Sequence, residues 1–250
     1  MNTVSPPFSA PSVWEDQLRA QGYVLLAPDD VPSWSGATRE ALEALVPSWD
    51  GLPLDEYLKD GGRYRRRRHS SYVVTGEQVE RVAHRAHWQP ESYNALHGGM
   101  ERWFEPLGTE WDASAAWVSL LRATAGAATA LRGAQQWFIE AHQFRIDTTD
   151  GIGRPTPEGA HRDGVDLVAV VLVRRHGVKG GETRVFDANG SMGQRFTMSE
   201  PWSLMLLDDQ RVIHESTPIQ PLEQVGWRDT LVLTCRSGGF QDPLPTQVKS

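Results

Sequence analysis

The chain has a single cysteine, Cys235, in 250 residues. One thiol excludes an internal disulfide and any zinc ribbon and suits a reducing compartment, so a cytoplasmic location is expected. Positive charge is also short. Lys and Arg number 25 against 32 Asp and Glu, a formal net charge of -7, and that balance does not favour nucleic acid as a partner. No apolar run approaches membrane-spanning length, and the start, MNTVSPPFSAPS, lacks a basic segment followed by an apolar stretch. Neither a membrane partner nor a secretory signal is expected. There is no Gly-rich phosphate loop, no Ser/His/Asp order suited to nucleophilic catalysis, and no internal repeat.

Tryptophan, by contrast, is abundant: 10 residues, mostly in the first half, among them Trp49, Trp111, Trp117 and Trp137. Large aromatics carry packing energy, so they read as anchors holding a helical layer to another layer. Helices are expected over Val13–Ala20, Ala37–Val46, Pro90–Phe104 and Ala113–Arg132, the last with Trp117, Leu120, Leu121 and Leu131 for a buried stripe, and a short strand over Gly22–Leu26. The first eleven residues read as a loose tail. From about Gln135 the pattern changes to short strands separated by turns: Trp137–Ile146, Val165–Val173, Glu182–Phe186, Ser203–Leu207, Val212–Thr217 and Thr230–Thr234. We expect one domain over 1–250. Residues 1–134 would form a mostly helical flanking layer and 135–240 a β-sandwich or barrel core.

His161 and Asp163 are two residues apart in an extended segment, so both side chains share one face and Arg162 points away. The preceding GIGRPTPEGA is rich in turn formers, and the apolar strand that follows anchors the pair to the core. His214, on a later strand, can supply a second imidazole. Two nitrogens and one carboxylate are the donor set of the 2-His-1-carboxylate facial triad, which suits Fe(II) and leaves coordination positions open for reactants.

Arg228 and Thr230 alternate on the last strand and can face the same side. A guanidinium fork with a hydroxyl is a receptor for a carboxylate; the plainer reading is an arginine paired with Asp229. Gln143 and Arg145 face the barrel interior if Phe144 and Ile146 face the helices, which makes them candidate substrate contacts. The run Arg63–Arg68 reads by default as a solvated face. Its sharper reading puts Arg65 and Arg67 on one side, over the barrel mouth, binding a substrate's acid group. His84 and His87 read as surface residues, and Cys235 as a small buried hydrophobe.

Together, HxD, a histidine about fifty residues on and an arginine followed two later by a hydroxyl resemble the Fe(II)/2-oxoglutarate-dependent dioxygenases. HQFRI (142–146), EGAHRDG (158–164), GGET (180–183), HESTPI (214–219) and WRD (227–229) resemble the bacterial branch that hydroxylates free amino acids. The resemblance spans about residues 135–236. It implies a double-stranded β-helix (jelly roll) flanked by helices, with His161, Asp163 and His214 on iron and Arg228 on 2-oxoglutarate. It further implies O2 as oxidant and a small-molecule substrate, an amino acid. The family more often has serine where Thr230 stands, and the hydroxyl is kept. Monomer and homodimer both remain open.

Overall fold

The computed structural model describes residues 4–243. Among the described residues twelve strands form. They are β1 (Tyr23–Leu26), β2 (Arg65–Thr75), β3 (Gln78–Arg81), β4 (Trp137–Asp147), β5 (Leu167–His176), β6 (Val178–Gly180), β7 (Thr183–Asp187), β8 (Gly193–Phe196), β9 (Ser203–Leu207), β10 (Val212–Ser216), β11 (Ile219–Pro221) and β12 (Trp227–Arg236). A seven-stranded antiparallel sheet runs β1-β9-β5-β12-β4-β2-β3; β10-β7-β8 and β11-β6 form smaller sheets. These sheets make the jelly roll. Helices α1 (Trp14–Gln21), α2 (Val31–Ser35), α3 (Arg39–Glu43), α4 (Thr109–Asp112) and α5 (Ala115–Arg132) flank it.

Helix α5 starts at Ser114, whose hydroxyl accepts the Trp117 amide, and stops at Gly133, where φ is +85°. It buries Trp117, Leu120, Leu121, Thr124, Ala125 and Ala128, one face at i, i+3, i+4 spacing. That face lies on the large sheet against Ile139, Ala141, Leu231, Leu233 and Cys235. Trp49, Trp111 and Trp117 pack edge against face in sequence, with centroids 5.4 and 4.9 Å apart, and join this layer as the anchors expected of them. Each fully buried large apolar side chain contributes roughly 1.5–3 kcal/mol. A second core, Val168, Leu172, Val185, Phe196, Met205 and Val212, fills the space between the sheets.

Several expectations need correction. The described part of residues 1–134 holds the five α-helices but also gives β1, β2 and β3 to the large sheet, so it is not only a flanking layer; of these strands the sequence pattern points to β1 and not to β2 or β3. Pro90–Phe104 forms no helix; turns run through it, and its end is tied back by an isolated bridge between His87 and Arg102. The N-terminal segment is docked where it is described: the Ser9 amide donates to Leu25 O and the Thr197 amide to Val4 O. Residues 1–3 lie outside the described residues. The arginine run is not a solvated face either. Arg65 and Arg67 are 5% and 3% exposed, while Arg66 and Arg68 reach carbonyls of Leu52 and Gly51 from the opposite face.

Candidate metal centre

The loop before β5 brings His161 beside β10, where His161 and His214 form an isolated antiparallel bridge. Each amide donates to the other's carbonyl, at 3.1 and 3.0 Å, and the ring centroids lie 4.7 Å apart. Asp163 closes the group. Its Oδ1 is 3.8 Å from His161 Nε2 and its Oδ2 is 3.7 Å from His214 Nε2. Donors about 2 Å from a common ion stand about 3.0–3.4 Å apart, so only a small contraction is needed. His161 Nδ1–H donates to Gly159 O at 2.9 Å, which leaves the Nε2 lone pair facing the other donors.

Asp209, in the turn between β9 and β10, fixes the backbone of this motif. Its carboxylate accepts the amides of Asp163, Gly164 and Val165 at 3.0, 2.7 and 3.1 Å. Gly164 takes φ +76°, and a Cβ there would fall 2.5 Å from the Tyr93 ring, so the turn calls for glycine. The charges are unsettled without a cation. Burial, with the negative charge of Glu158 assisting, pushes the Asp163 carboxyl up despite His161. Burial and His161 push His214 down to about 3, so its imidazole is neutral. Burial alone would lower His161, but Asp163 and Glu158 outweigh it and raise it. Two imidazoles and a buried carboxylate in want of a counter-charge fit a divalent metal.

These donors line one cavity of about 120 Å³. Arg228 and Thr230 line it too, with Val170, Met205 and Val232 as apolar neighbours. Arg228 is 4% exposed and its Nε has no partner. Among the described residues no carboxylate lies within 4.0 Å of it. Burial and the nearby Arg175 pull its guanidinium down to about 10. Asp229, the partner a surface reading would give Arg228, points to the other face and binds Arg145 and Arg174 at 2.7 and 2.9 Å.

Gln143 and Arg145 are not in the cavity. On β4 the alternation runs opposite to the expected one: His142, Phe144 and Ile146 face the cavity. Gln143 donates to Ser48 Oγ on the helical side, and Arg145 pairs with Asp229 and Asp50. Arg65 and Arg67 do line the cavity. Arg65 Nε bonds Asp55 at 2.7 Å. Arg67 lies 3.8 Å from the Phe104 ring centroid and donates to His142 Nδ1 at 2.7 Å.

His69, His87 and His142 form a second group whose ligand atoms lie within 4.8 Å of one another. His87 is 5% exposed, not on the surface as expected. Its physical setting disfavours a cation. His69 and His87 both contact Glu140 Oε1, at 2.9 and 3.2 Å, and Arg67 already occupies a His142 lone pair. The sequence reading missed this cluster because its members lie on β2, β4 and the segment before Arg102. It also missed Asp209, though the Asp208-Asp209 turn just ahead of His214 signals it, and it missed Glu158, which lies within the quoted EGAHRDG.

Residues 46–234 match the 2OG-Fe dioxygenase family. A bsmA homolog from Methylobium petroleophilum PM1 is 53% identical across 98% of this chain and 100% of its own, with a TM-score of 0.90. IDO from Bacillus thuringiensis (16% identity, 93% and 100% covered, TM-score 0.74) and the Fe(II)/α-ketoglutarate-dependent dioxygenase TqaL (20% identity, 94% and 91% covered, TM-score 0.69) share the fold. No curated protein matches the chain. The fold and the donor set define a non-haem iron oxygenase. The chain belongs to the 2OG-Fe dioxygenase family, and as such is an enzyme that uses Fe(II), 2-oxoglutarate and O2 on a small-molecule substrate. Among the described residues no helix is long and apolar enough to cross a membrane.

Proposed function

We propose that this enzyme hydroxylates an aliphatic C–H bond of a free L-amino acid or close derivative, with iron held by His161, Asp163 and His214. One observation carries the co-substrate half: Arg228 is a buried guanidinium with no counter-charge, in the same cavity as the three donors. An unpaired buried charge is costly, so the pocket wants an anion there. The distal carboxylate of 2-oxoglutarate supplies it, and Thr230 offers a hydroxyl on the same face of β12. Bound iron, with 2-oxoglutarate and O2, supplies an oxidant able to cleave an unactivated C–H bond, leaving succinate and CO2. The chain's own task is to position the reactants and keep out water.

The substrate half rests on size and charge. A cavity of about 120 Å³ is small beside the roughly 300–1,000 Å³ of drug-sized ligand sites, which favours a small free molecule over a bulky one. The motifs shared with the amino-acid branch and the lone cysteine support a free amino acid handled in a reducing cytoplasm. The test is an anaerobic titration with Fe(II) and 2-oxoglutarate followed by a screen of free amino acids and their conjugates for succinate release. A visible charge-transfer band and release with a free amino acid are expected. A missing band defeats the iron and co-substrate assignment; release with conjugates only defeats the substrate class.

A further inference from the structure

The cavity wall near Asp163 carries a second guanidinium without a counter-charge. Arg102 is 2% exposed and lines the cavity. Its backbone is pinned by a reciprocal pair of hydrogen bonds with His87, at 2.9 and 3.0 Å. Its Nη2 donates to Gln89 Oε1 at 2.9 Å, and its Nε is buried with no partner. No carboxylate stands within 4.0 Å of it among the described residues. Its neighbour Arg65 already holds Asp55, which also draws Arg67. Arg102 is thus the cation left over.

Glu158 is its counterpart. It lines the same cavity, and its Oε2 is buried with no partner. Its Oε1 lies 3.6 Å from His161 Nε2, yet Glu158 falls outside the three-donor group of His161, Asp163 and His214. Arg102 is also tied to those donors: Gln89, which accepts from it, donates to Asp163 Oδ1 at 3.3 Å. A guanidinium with no carboxylate within 4.0 Å and a carboxylate whose Oε2 has no partner, its Oε1 reaching only His161, therefore face the cavity beside the three donors, and among the described residues they do not pair with each other.

We propose that Arg102 and Glu158 are the specificity-determining pair of the substrate subsite: Arg102 receives the substrate's carboxylate and Glu158 its ammonium group. The substrate class is then the free zwitterion of an amino acid, and amides, esters and carrier-linked acyl groups are excluded. This rests on the reading of Arg228 as the co-substrate anchor, which leaves Arg102 for the substrate. Buried polar groups reject analogues that leave them unpaired, so both charges of the ligand are read at once.

The test is anaerobic calorimetry of the protein loaded with Fe(II) and 2-oxoglutarate. The probes are the free L-amino acids, the corresponding amides and the corresponding desamino acids. At least one amino acid should bind, with its amide and its desamino analogue weaker on the order of 100-fold. Arg102→Gln should erase the preference for acid over amide, and Arg102→Lys should restore part of it. Glu158→Gln should erase the preference for amino acid over desamino acid while iron content stays at one per chain. An amide that binds as well as its acid, discrimination that survives Glu158→Gln, loss of iron in that variant, or no binder in the panel would each overturn the proposal. A missing charge-transfer band counts against the iron and co-substrate assignment alone, because calorimetry still reads the Arg102–Glu158 pair.

Discussion

His161 and His214 exchange both backbone hydrogen bonds across an isolated bridge, so the main chain sets the two imidazoles side by side, with ring centroids 4.7 Å apart and planes tilted by 45°. The third donor depends on Asp209, whose carboxylate accepts the amides of residues 163–165. Asp209→Ala should leave all three donors in place chemically but loosen Asp163. Iron affinity is expected to fall about 10–100-fold, as for other groups that support ligands from behind. Asp163→Ala should abolish turnover outright and weaken iron binding. Anaerobic Fe(II) titrations of both variants check this, and wild-type affinity in Asp209→Ala would remove its positioning role.

Arg228→Ala should chiefly raise the 2-oxoglutarate requirement. Losing one partner of a buried charge pair costs about 2–5 kcal/mol, or about 30- to 5,000-fold in affinity. Without co-substrate the guanidinium is an uncompensated buried charge, so removing it should not lower the thermal midpoint of the ligand-free protein. Saturating 2-oxoglutarate should stabilise the wild type and not the variant. Unchanged co-substrate affinity in the variant would refute the assignment.

That His161, Asp163 and His214 come together was legible because they obey local rules: period-two alternation placed His161 and Asp163 on one face, and strand context placed His214 opposite. The same rule located Arg228 and Thr230 on one face of β12. On β4, alternation named the two faces correctly and assigned them the wrong way round. Phe144 and Ile146 look like core residues, yet they face a ligand cavity whose arginines stack on Phe144. Arg65 and Arg67 looked solvated because four consecutive arginines rarely enter a core. Asp55, ten residues before Arg65, and the rings of Phe104 and Phe144, more remote in sequence, are what let them do so. Arg102 left no signal, since its importance is a missing partner and only coordinates show that.

Because Arg145 sits outside the cavity, it should matter for stability and not for binding. Its guanidinium and that of Arg174 together neutralise Asp229, a carboxylate with no solvent exposure. Arg145→Ala leaves Arg174 in place, so a loss of about 1–3 kcal/mol is expected, with iron and 2-oxoglutarate affinities unchanged. Chemical denaturation alongside the anaerobic titration separates the two. A large rise in the co-substrate requirement would return Arg145 to the site.

The histidine cluster should make the fold sensitive to acid. Burial, more than the neighbouring arginines, pushes His87 down to about 3 and also lowers His69 and His142. The His87 imidazole is neutral in the folded chain near neutral pH, whereas in the unfolded chain it titrates near the ordinary value of about 6.5. Below that pH the unfolded state takes up protons that the folded state refuses. The stability that His87 contributes is therefore complete above about pH 6.5 and falls as pH drops toward 3, by up to about 1.4 kcal/mol per pH unit, and His69 and His142 act in the same direction. Glu140 adds to the loss at lower pH. Burial would raise its carboxyl, but His87 and His69, whose ring N–H groups lie 3.2 and 2.9 Å from Oε1, outweigh burial and hold it below the usual range, so its contribution disappears as pH falls below the ordinary carboxylate value. Urea unfolding of wild type and His87→Gln at about pH 7, 6 and 5 reads the effect directly. The variant should lose stability less steeply, by about 1.4 kcal/mol per unit; equal slopes would mean that His87 already carries a proton in the folded protein.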